Sequence, residues 1–518
     1  MKQDGRPVVI LAKTVKGYGM GVAGEGQNIT HSQKKMGEAA LKAFRDRFNI
    51  PIPDDQIAST PFYKPPADSP EMQYLHGRRE ALGGYLPARV TTAPALRIPP
   101  LDSFKALLEG NAEREMSTTM AFVRFLTMLT RDKDVGKLVV PIVPDEARTF
   151  GMEGMFRQLG IYSSVGQLYT PVDSDQVMYY REDKQGQILQ EGINEAGAFS
   201  SWIAAATSYS TNDRIMIPFY IYYSMFGFQR FGDLAWLAGD MQARGFLLGG
   251  TAGRTTLNGE GLQHQDGHSH IQSSVIPNCV SYDPTFAHEV AVILQAGLKR
   301  MIENQENVWY YVTLMNESYP HPGLKKGQEE GILRGIYRLR EGPAGSGMGA
   351  SIPRVQLLGS GTILREAIAA AELLERDWGV SGDVWSVTSF TELRRDGMDT
   401  ERWNLLHPAE KPRKAYATQQ LERTAGPIIA ATDYMRLFAD QIRGYIPRGR
   451  DYRVLGTDGF GRSDTRAKLR EFFEVDRHFI VLSALRALSD EGLLPVAKLQ
   501  EAVRKYGIDP AKPNPMTA

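Results

Sequence analysis

Short apolar runs, each ending in a polar loop and followed by a helix-like stretch, constrain this chain more than any other feature. LVVPIV at 138–143, IMIPFYIYY at 215–223 and VQLLG at 355–359 are too short for an independent helix and are apolar on both faces. A strand apolar on both faces belongs inside a parallel sheet that helices cover on each side. VWSVTSF, PIIAATDY and YRVLGTD add further strands, and PVVILA at 7–12 reads as another. Helical stretches follow the strands, among them GAFSSWIAAATSYS beginning near Glu195 and TILREAIAAAELLERDWG. The alternation predicts an α/β fold with a mostly parallel sheet.

A chain of 518 residues suggests about three domains. Residues 1–95 hold PVVILA, the glycine-rich KGYGMGVAGEG, a helix in SQKKMGEAALKAFRDRF and the start of a Pro-rich linker. PVVILA has only six residues before it, so its sheet neighbours are expected in a longer protein of which this is the C-terminal part. Residues 96–325 form the second unit, opening with helical periodicity through FKALLEGNAEREMSTTMAFVRFLTMLTRD. Residues 326–518 form a smaller α/β unit, with GPAGSGMGAS as a flexible loop and FIVLSALRALSDEG as a closing helix.

Acidic and basic residues balance at 60 each, which offers no electrostatic reason to expect nucleic acid or an anionic membrane as a partner. No apolar run is long enough to span a bilayer. One cysteine, Cys279, excludes a disulfide framework and fits a reducing cytoplasm.

The loops carry the unusual chemistry. GGTAGRTTLNGEGLQHQDGHSH, residues 249–270, places His264, His268 and His270 among six glycines, where regular helix or strand is largely excluded. Three readings stand: a zinc site, structural hydrogen-bonding histidines, or an acid/base or substrate-anchoring cluster. Zinc fits least, since the histidines lie in an irregular loop and the cysteine lies beyond it. Gly19-x-Gly21-x-x-Gly24 matches a dinucleotide fingerprint weakly, with no strand directly before it and no second strand bearing the ribose acid. A glycine-hinged active-site loop, with His31 just after it, is the better reading. Glu195 at a helix start is either a dipole-favoured surface acid or catalytic. Asp145 and Glu146, after a buried strand, read as a helix N-cap pair or as site acids. Tyr222 reads as strand core, with Tyr223 and Phe226 either core or pocket.

GYGMG, DEARTFGMEG, GQILQEGINEAGAF, PFYIYYSMFGFQR, TLNGEGLQHQDGHSH, VTSFTELRRDG and LGTDGFGRSD together resemble the homodimeric bacterial pyruvate dehydrogenase family, the thiamine-diphosphate-dependent first component of the pyruvate dehydrogenase complex. The resemblance runs the length of the chain and corresponds to the family's C-terminal part. It implies a transketolase-like fold: a remnant of the diphosphate-binding domain, a pyrimidine-binding domain and a C-terminal α/β domain. It implies oxidative decarboxylation of pyruvate and reductive acetylation of the lipoyl group of dihydrolipoyl acetyltransferase, by a cytoplasmic homodimer. By resemblance, Glu195 hydrogen-bonds the aminopyrimidine ring nitrogen, favouring the imino tautomer that deprotonates the thiazolium carbon. That role calls for a neutral carboxyl in a dry pocket, to which Ile193, Ala196 and Phe199 would contribute. Phe226 stacks on the pyrimidine, Tyr223 lines the same pocket, and Asp145 lies near the cofactor. Glu146 joins a proton relay between two active sites. His264 faces the substrate, and His31 serves acetyl transfer to lipoyl, though NITHSQKK departs from the family's more frequent Ala-His-Gln. The family holds Mg²⁺ through a Gly-Asp-Gly motif. None occurs here, so this chain is expected to supply no metal ligand and to bind cofactor weakly alone. A transketolase-type ketol transferase and a non-catalytic remnant are the alternatives.

Overall fold

A computed structural model describes residues 8–85, 90–144, 147–344 and 352–518. By its contacts the chain divides into one unit ending at residue 88 and a second spanning 89–518.

In the first unit the structure corrects one expectation. Residues 8–12 form no strand, and Val9 and Leu11 are 80% and 92% exposed. An isolated apolar strand has no ladder to satisfy its backbone, and no described segment pairs with it. The glycine-rich loop leads into α1 (Glu38–Arg47) and, beyond a Pro-rich stretch, α2 (Pro70–Ala81). Ser69 caps α2 through its hydroxyl, and Pro70 occupies the first turn, where its missing N–H costs nothing.

Among the described residues, the second unit contains two large sheets and two short strand pairs. The first is built from β1 (Val139–Val143), β2 (Leu189–Gln190), β3 (Ile217–Tyr223), β4 (Phe246–Gly250), β5 (Cys279–Tyr282) and β6 (Trp309–Thr313). Its order is β2-β1-β3-β4-β6-β5 and every pairing is parallel. Helices α3 (Thr118–Leu129), α4 (Glu195–Ala206), α5 (Phe228–Asp240), α6 (Ser269–Ser274) and α7 (Ala287–Leu298) accompany it. Apolar burial on both faces follows: all residues of β1, β4, β5 and β6 are buried. Phe219 and Phe246, register partners on β3 and β4, stack at 4.6 Å.

The second sheet comprises β7 (Tyr337–Arg340), β8 (Arg354–Gly359), β9 (Ser381–Ser386), β10 (Ile428–Ala431) and β11 (Tyr452–Leu455), ordered β7-β9-β8-β10-β11. Only β7 runs antiparallel. Helices α8 (Ile363–Leu373) and α9 (Arg477–Asp490) pack over it. The chain carries a further helix, α10 (Val496–Lys505), beyond the one expected to close it. The helix expected through 104–132 is also interrupted. Asn111–Met116 is a strand paired antiparallel with Tyr319–His321, because Gly110 takes φ +74° and redirects the backbone. Of the GPAGSGMGAS loop, residues 345–351 lie outside the described residues, as do Asp145 and Glu146.

Candidate active site

In a parallel sheet all strands end on the same edge, so loops from neighbouring strands converge there. This edge collects four of the seven site residues read from the sequence. Glu195 follows β2, Tyr223 and Phe226 end β3, and His264 lies in the loop after β4. Asp145 and Glu146 follow β1 in sequence but lie outside the described residues.

Glu195 opens α4, whose N-terminus is capped by the Asn194 carboxamide accepting from Gly197 N at 3.0 Å. Arg230 of α5 donates from Nη1 to Glu195 Oε1 at 2.7 Å. The same guanidinium lies 4.0 Å from the centre of the Phe226 ring, a cation–π contact. The His264 ring lies 5.1 Å from Phe226 and 4.9 Å from Tyr223. Glu195, Arg230, Phe226, His264 and Tyr223 therefore form one continuous cluster. The dry apolar pocket expected around Glu195 is corrected. Ile193 is 68% exposed and Ala196 is exposed, because the Asn194 cap starts α4 at the surface; only Phe199 is buried. The partner of Glu195 is a cation rather than an apolar wall.

Tyr222, read as core, is core: it is 1% exposed, and its ring packs 4.8 Å from Tyr220 and 5.2 Å from Phe231. Next to it, Tyr223 turns toward His264, as strand alternation requires.

The three histidines of the loop separate into distinct roles. His270 is fully buried, stacked on Phe438 at 4.6 Å, with Nε2 3.0 Å from Thr313 Oγ1. Burial pushes its imidazole down to about 3, so it stays neutral and structural. His268 precedes α6, and its backbone N donates to Asp266 at 2.9 Å. His264 sits at the site, and its Nδ1 is buried with no hydrogen-bond partner. A buried polar atom left unpaired costs free energy until a ligand or water meets it. Among the described residues, no three His, Cys, Asp or Glu side chains converge in a metal cradle.

Residues the sequence reading missed hold this loop in place. Fully buried Asp266 accepts from the hydroxyls of Ser224 and Ser269 and from the backbone N of His268 and Ser269, both at 2.9 Å. It thereby ties the end of β3 to the loop after β4. Asp433, following β10, accepts from Thr255 Oγ1 at 2.7 Å and from Thr255 N. Asp283, following β5, accepts from Thr313 Oγ1 at 2.7 Å. Burial pushes both Asp433 and Asp283 up to about 7. Arg230 and Asp266 both stand in quoted motifs, PFYIYYSMFGFQR and QHQDGHSH. The available signal is an Asp three residues before a short helix, from which a carboxylate accepts from the backbone N–H groups two and three residues on.

In the first unit His31 ends a short helical turn, Asn28–His31, and is exposed. A groove of about 940 Å³, lined in part by Val140, Tyr162, Gln187 and Arg214, opens elsewhere on the second unit and contains none of the site residues.

Residues 96–322 match the pyruvate dehydrogenase E1 component middle domain, and residues 335–476 match the transketolase-like C-terminal domain. The chain is 61% identical over 516 residues to the pyruvate dehydrogenase E1 component of Pseudomonas aeruginosa. It is 60% identical over 517 residues to that of Cupriavidus necator, and 58% identical over 518 to that of Escherichia coli. These alignments take in 99–100% of this chain but only 57–58% of the relatives' length. Among solved structures, transketolase from Campylobacter jejuni superposes with a TM-score of 0.59 at 16% identity, over 92% of this chain and 62% of that one. Transketolase from Leishmania mexicana gives 0.53 at 14%, over 90% and 56%. At such identities the likeness is one of fold, which is transketolase-like.

Proposed function

Because the chain belongs to the pyruvate dehydrogenase E1 family, we propose that it forms the pyrimidine-binding and C-terminal part of an enzyme that decarboxylates pyruvate and acetylates the lipoyl group of dihydrolipoyl acetyltransferase. The cofactor is thiamine diphosphate, which supplies the electron sink for decarboxylation when bound. Mg²⁺ belongs with the diphosphate, and its ligands come from outside this sequence. The working enzyme is a cytoplasmic homodimer. Asp145 and Glu146 extend the site as cofactor-side acid and proton relay.

The observation that carries this reading is the meeting of Glu195, Phe226, Tyr223 and His264, drawn from three loops onto one sheet edge. Glu195, held at Oε1 by Arg230, receives the ring nitrogen of the pyrimidine. Phe226 and Tyr223 offer aromatic surface that excludes water and orients a flat heterocycle. His264, with an unpaired buried Nδ1, holds the pyruvate carboxylate or the oxygen that replaces its carbonyl. His31 serves the later transfer to lipoyl. A ketol transferase would need cations to anchor a sugar phosphate, and Arg230 in this cluster is already paired with Glu195.

The test uses a chimera in which this segment stands in cis with the remaining portion of a relative's chain. It should turn over pyruvate with an artificial electron acceptor when thiamine diphosphate and Mg²⁺ are present. Glu195→Gln should cut that rate by roughly 10²–10⁴-fold. Near-normal turnover in the variant, or turnover of a sugar phosphate in place of pyruvate, rejects the assignment. The 518-residue chain alone, lacking Gly-Asp-Gly, should bind cofactor more weakly than micromolar in calorimetric titration.

A further inference from the structure

The motif LGTDGFGRSD has no part in the chemistry above, yet it lies against the loop that carries His264. It begins at the last residue of β11, and Gly456 and Thr457 are buried: Thr457 N donates to Tyr434 O at 2.9 Å and its hydroxyl to Asp433 O at 2.8 Å. Arg254, at the root of the histidine loop, donates from Nη1 to Thr457 O at 3.0 Å and also to Gly459 O. Gly259 N donates to Asp464 O at 3.0 Å. Between these flanking bonds, Arg462 N donates to the side-chain oxygen of Gln265 at 2.7 Å, and Gln265 is 1% exposed. Gly461 comes so close that a Cβ there would lie 2.8 Å from Leu262 O and 2.9 Å from Gln265 Oε1.

His264 sits in the single turn Leu262–His264, whose own bonds are local: His264 N to Gly261 O at 3.0 Å and Gln265 N to Leu262 O at 3.2 Å. One local turn does not hold a ring in a fixed place. Gln265, adjoining His264, is gripped from the second sheet on one side, and Asp266 ties the next residue to β3 on the other. Orientation within about an ångström decides whether such a group acts on substrate.

We propose that Gly461 and the Arg462 backbone N–H position His264 through Gln265, so that the second sheet sets the geometry of a site built on the first. Gln265 is a positioning residue, and the chemistry required of it is narrow: a buried side-chain acceptor facing a backbone donor. Glutamate meets that requirement and leucine does not. The meaning of His264 rests on the function proposed above, but its position does not, so the two are tested separately.

The first measurement uses the 518-residue chain without cofactor and follows carbethoxylation of each histidine by diethylpyrocarbonate with peptide mass spectrometry. Gln265→Leu should speed modification of His264 about fivefold, the population change that loss of one hydrogen bond produces. Gln265→Glu should keep the wild-type rate, and His270 should stay protected in both. Equal His264 rates in the Leu variant and wild type overturn the proposal, as do equal increases in the Leu and Glu variants. If the Leu variant does not fold, Gly461→Ala must change the His264 rate in the same assay, and no change overturns the proposal. The second measurement is made in the chimera. Gln265→Leu should lower kcat more than it changes KM, and adding it to His264→Ala should cost nothing further. An additive loss in the double variant also overturns the proposal. If His264→Ala itself leaves pyruvate turnover intact, the functional reading fails while the reactivity result stands.

Discussion

Two glycine-rich loops, one in each unit, are built from similar residues and held in opposite ways. In the first unit, the loop through Gly17–Gly26 gathers around one surface carboxylate. Glu25 accepts from Gly19 N at 3.2 Å, from Gly21 N at 3.1 Å and from Arg47 at 2.6 Å. Tyr18 and Val22 remain 65% and 92% exposed. In the second unit, the loop after β4 is held by Asp266, Asp433 and Arg254, all at or below 7% exposed. The same abundance of glycine therefore gives a loop that solvent can open and a loop built into the core. What separates them is where the anchoring charge lies: a surface ion pair competes with water, while a buried carboxylate leaves several donors stranded if removed.

The greatest change should follow removal of His264, which the second loop carries, and of His31, which lies just beyond the first. In the assembled enzyme, His264→Ala should reduce decarboxylation by about 10²–10³-fold if it stabilises developing charge. His31→Ala should spare decarboxylation measured with an artificial acceptor and impair acetyl transfer to lipoyl. Equal losses for His31→Ala in both assays would dissolve the distinction between the loops.

Next in size is the anchor itself. Asp266→Ala strands two hydroxyls and two backbone amides in the interior and should lower unfolding free energy by on the order of 3 kcal/mol. Urea denaturation followed by circular dichroism reads it, and an unchanged midpoint would show the buried network to be dispensable.

A smaller effect depends on pH. Asp283 and Asp433 rise from 3.8 to about 7 on burial. Between those values the folded chain holds protons that the unfolded chain has released. The stability these two groups lend is thus complete below about pH 4, falls as pH rises toward 7, and is level above it. Urea midpoints of wild type and of Asp283→Asn, compared from pH 5 to 8, should show the steeper decline in wild type. Parallel curves would contradict it.

The smallest effect belongs to Glu25→Ala. Global unfolding should be unmoved, because the pair is at the surface, while hydrogen exchange at Gly19 and Gly21 should accelerate. Slower exchange at both amides would mean that the loop is held by something other than Glu25.

Apolar continuity and period alone determined that this chain would form parallel strands with helices between them, and 139–143, 217–223, 354–359, 428–431 and 452–455 all became strands. Those runs suffice because burial on both faces is a local property of composition. They did not suffice at 8–12, where the same composition stays exposed because a strand needs a neighbour. The loop motifs carried the family resemblance and four residues of the candidate cluster, which meet because parallel strands bring their ends to one edge. Which partner each residue meets was set by the packing of the sheets and loops. Arg230 on Glu195, Asp266 between β3 and the histidine loop, and Arg462 on Gln265 are contacts 35, 42 and 197 residues apart in sequence. No local pattern encodes such pairings: hydrogen bonds and ion pairs depend on fractions of an ångström, and those distances exist only after the sheets have packed.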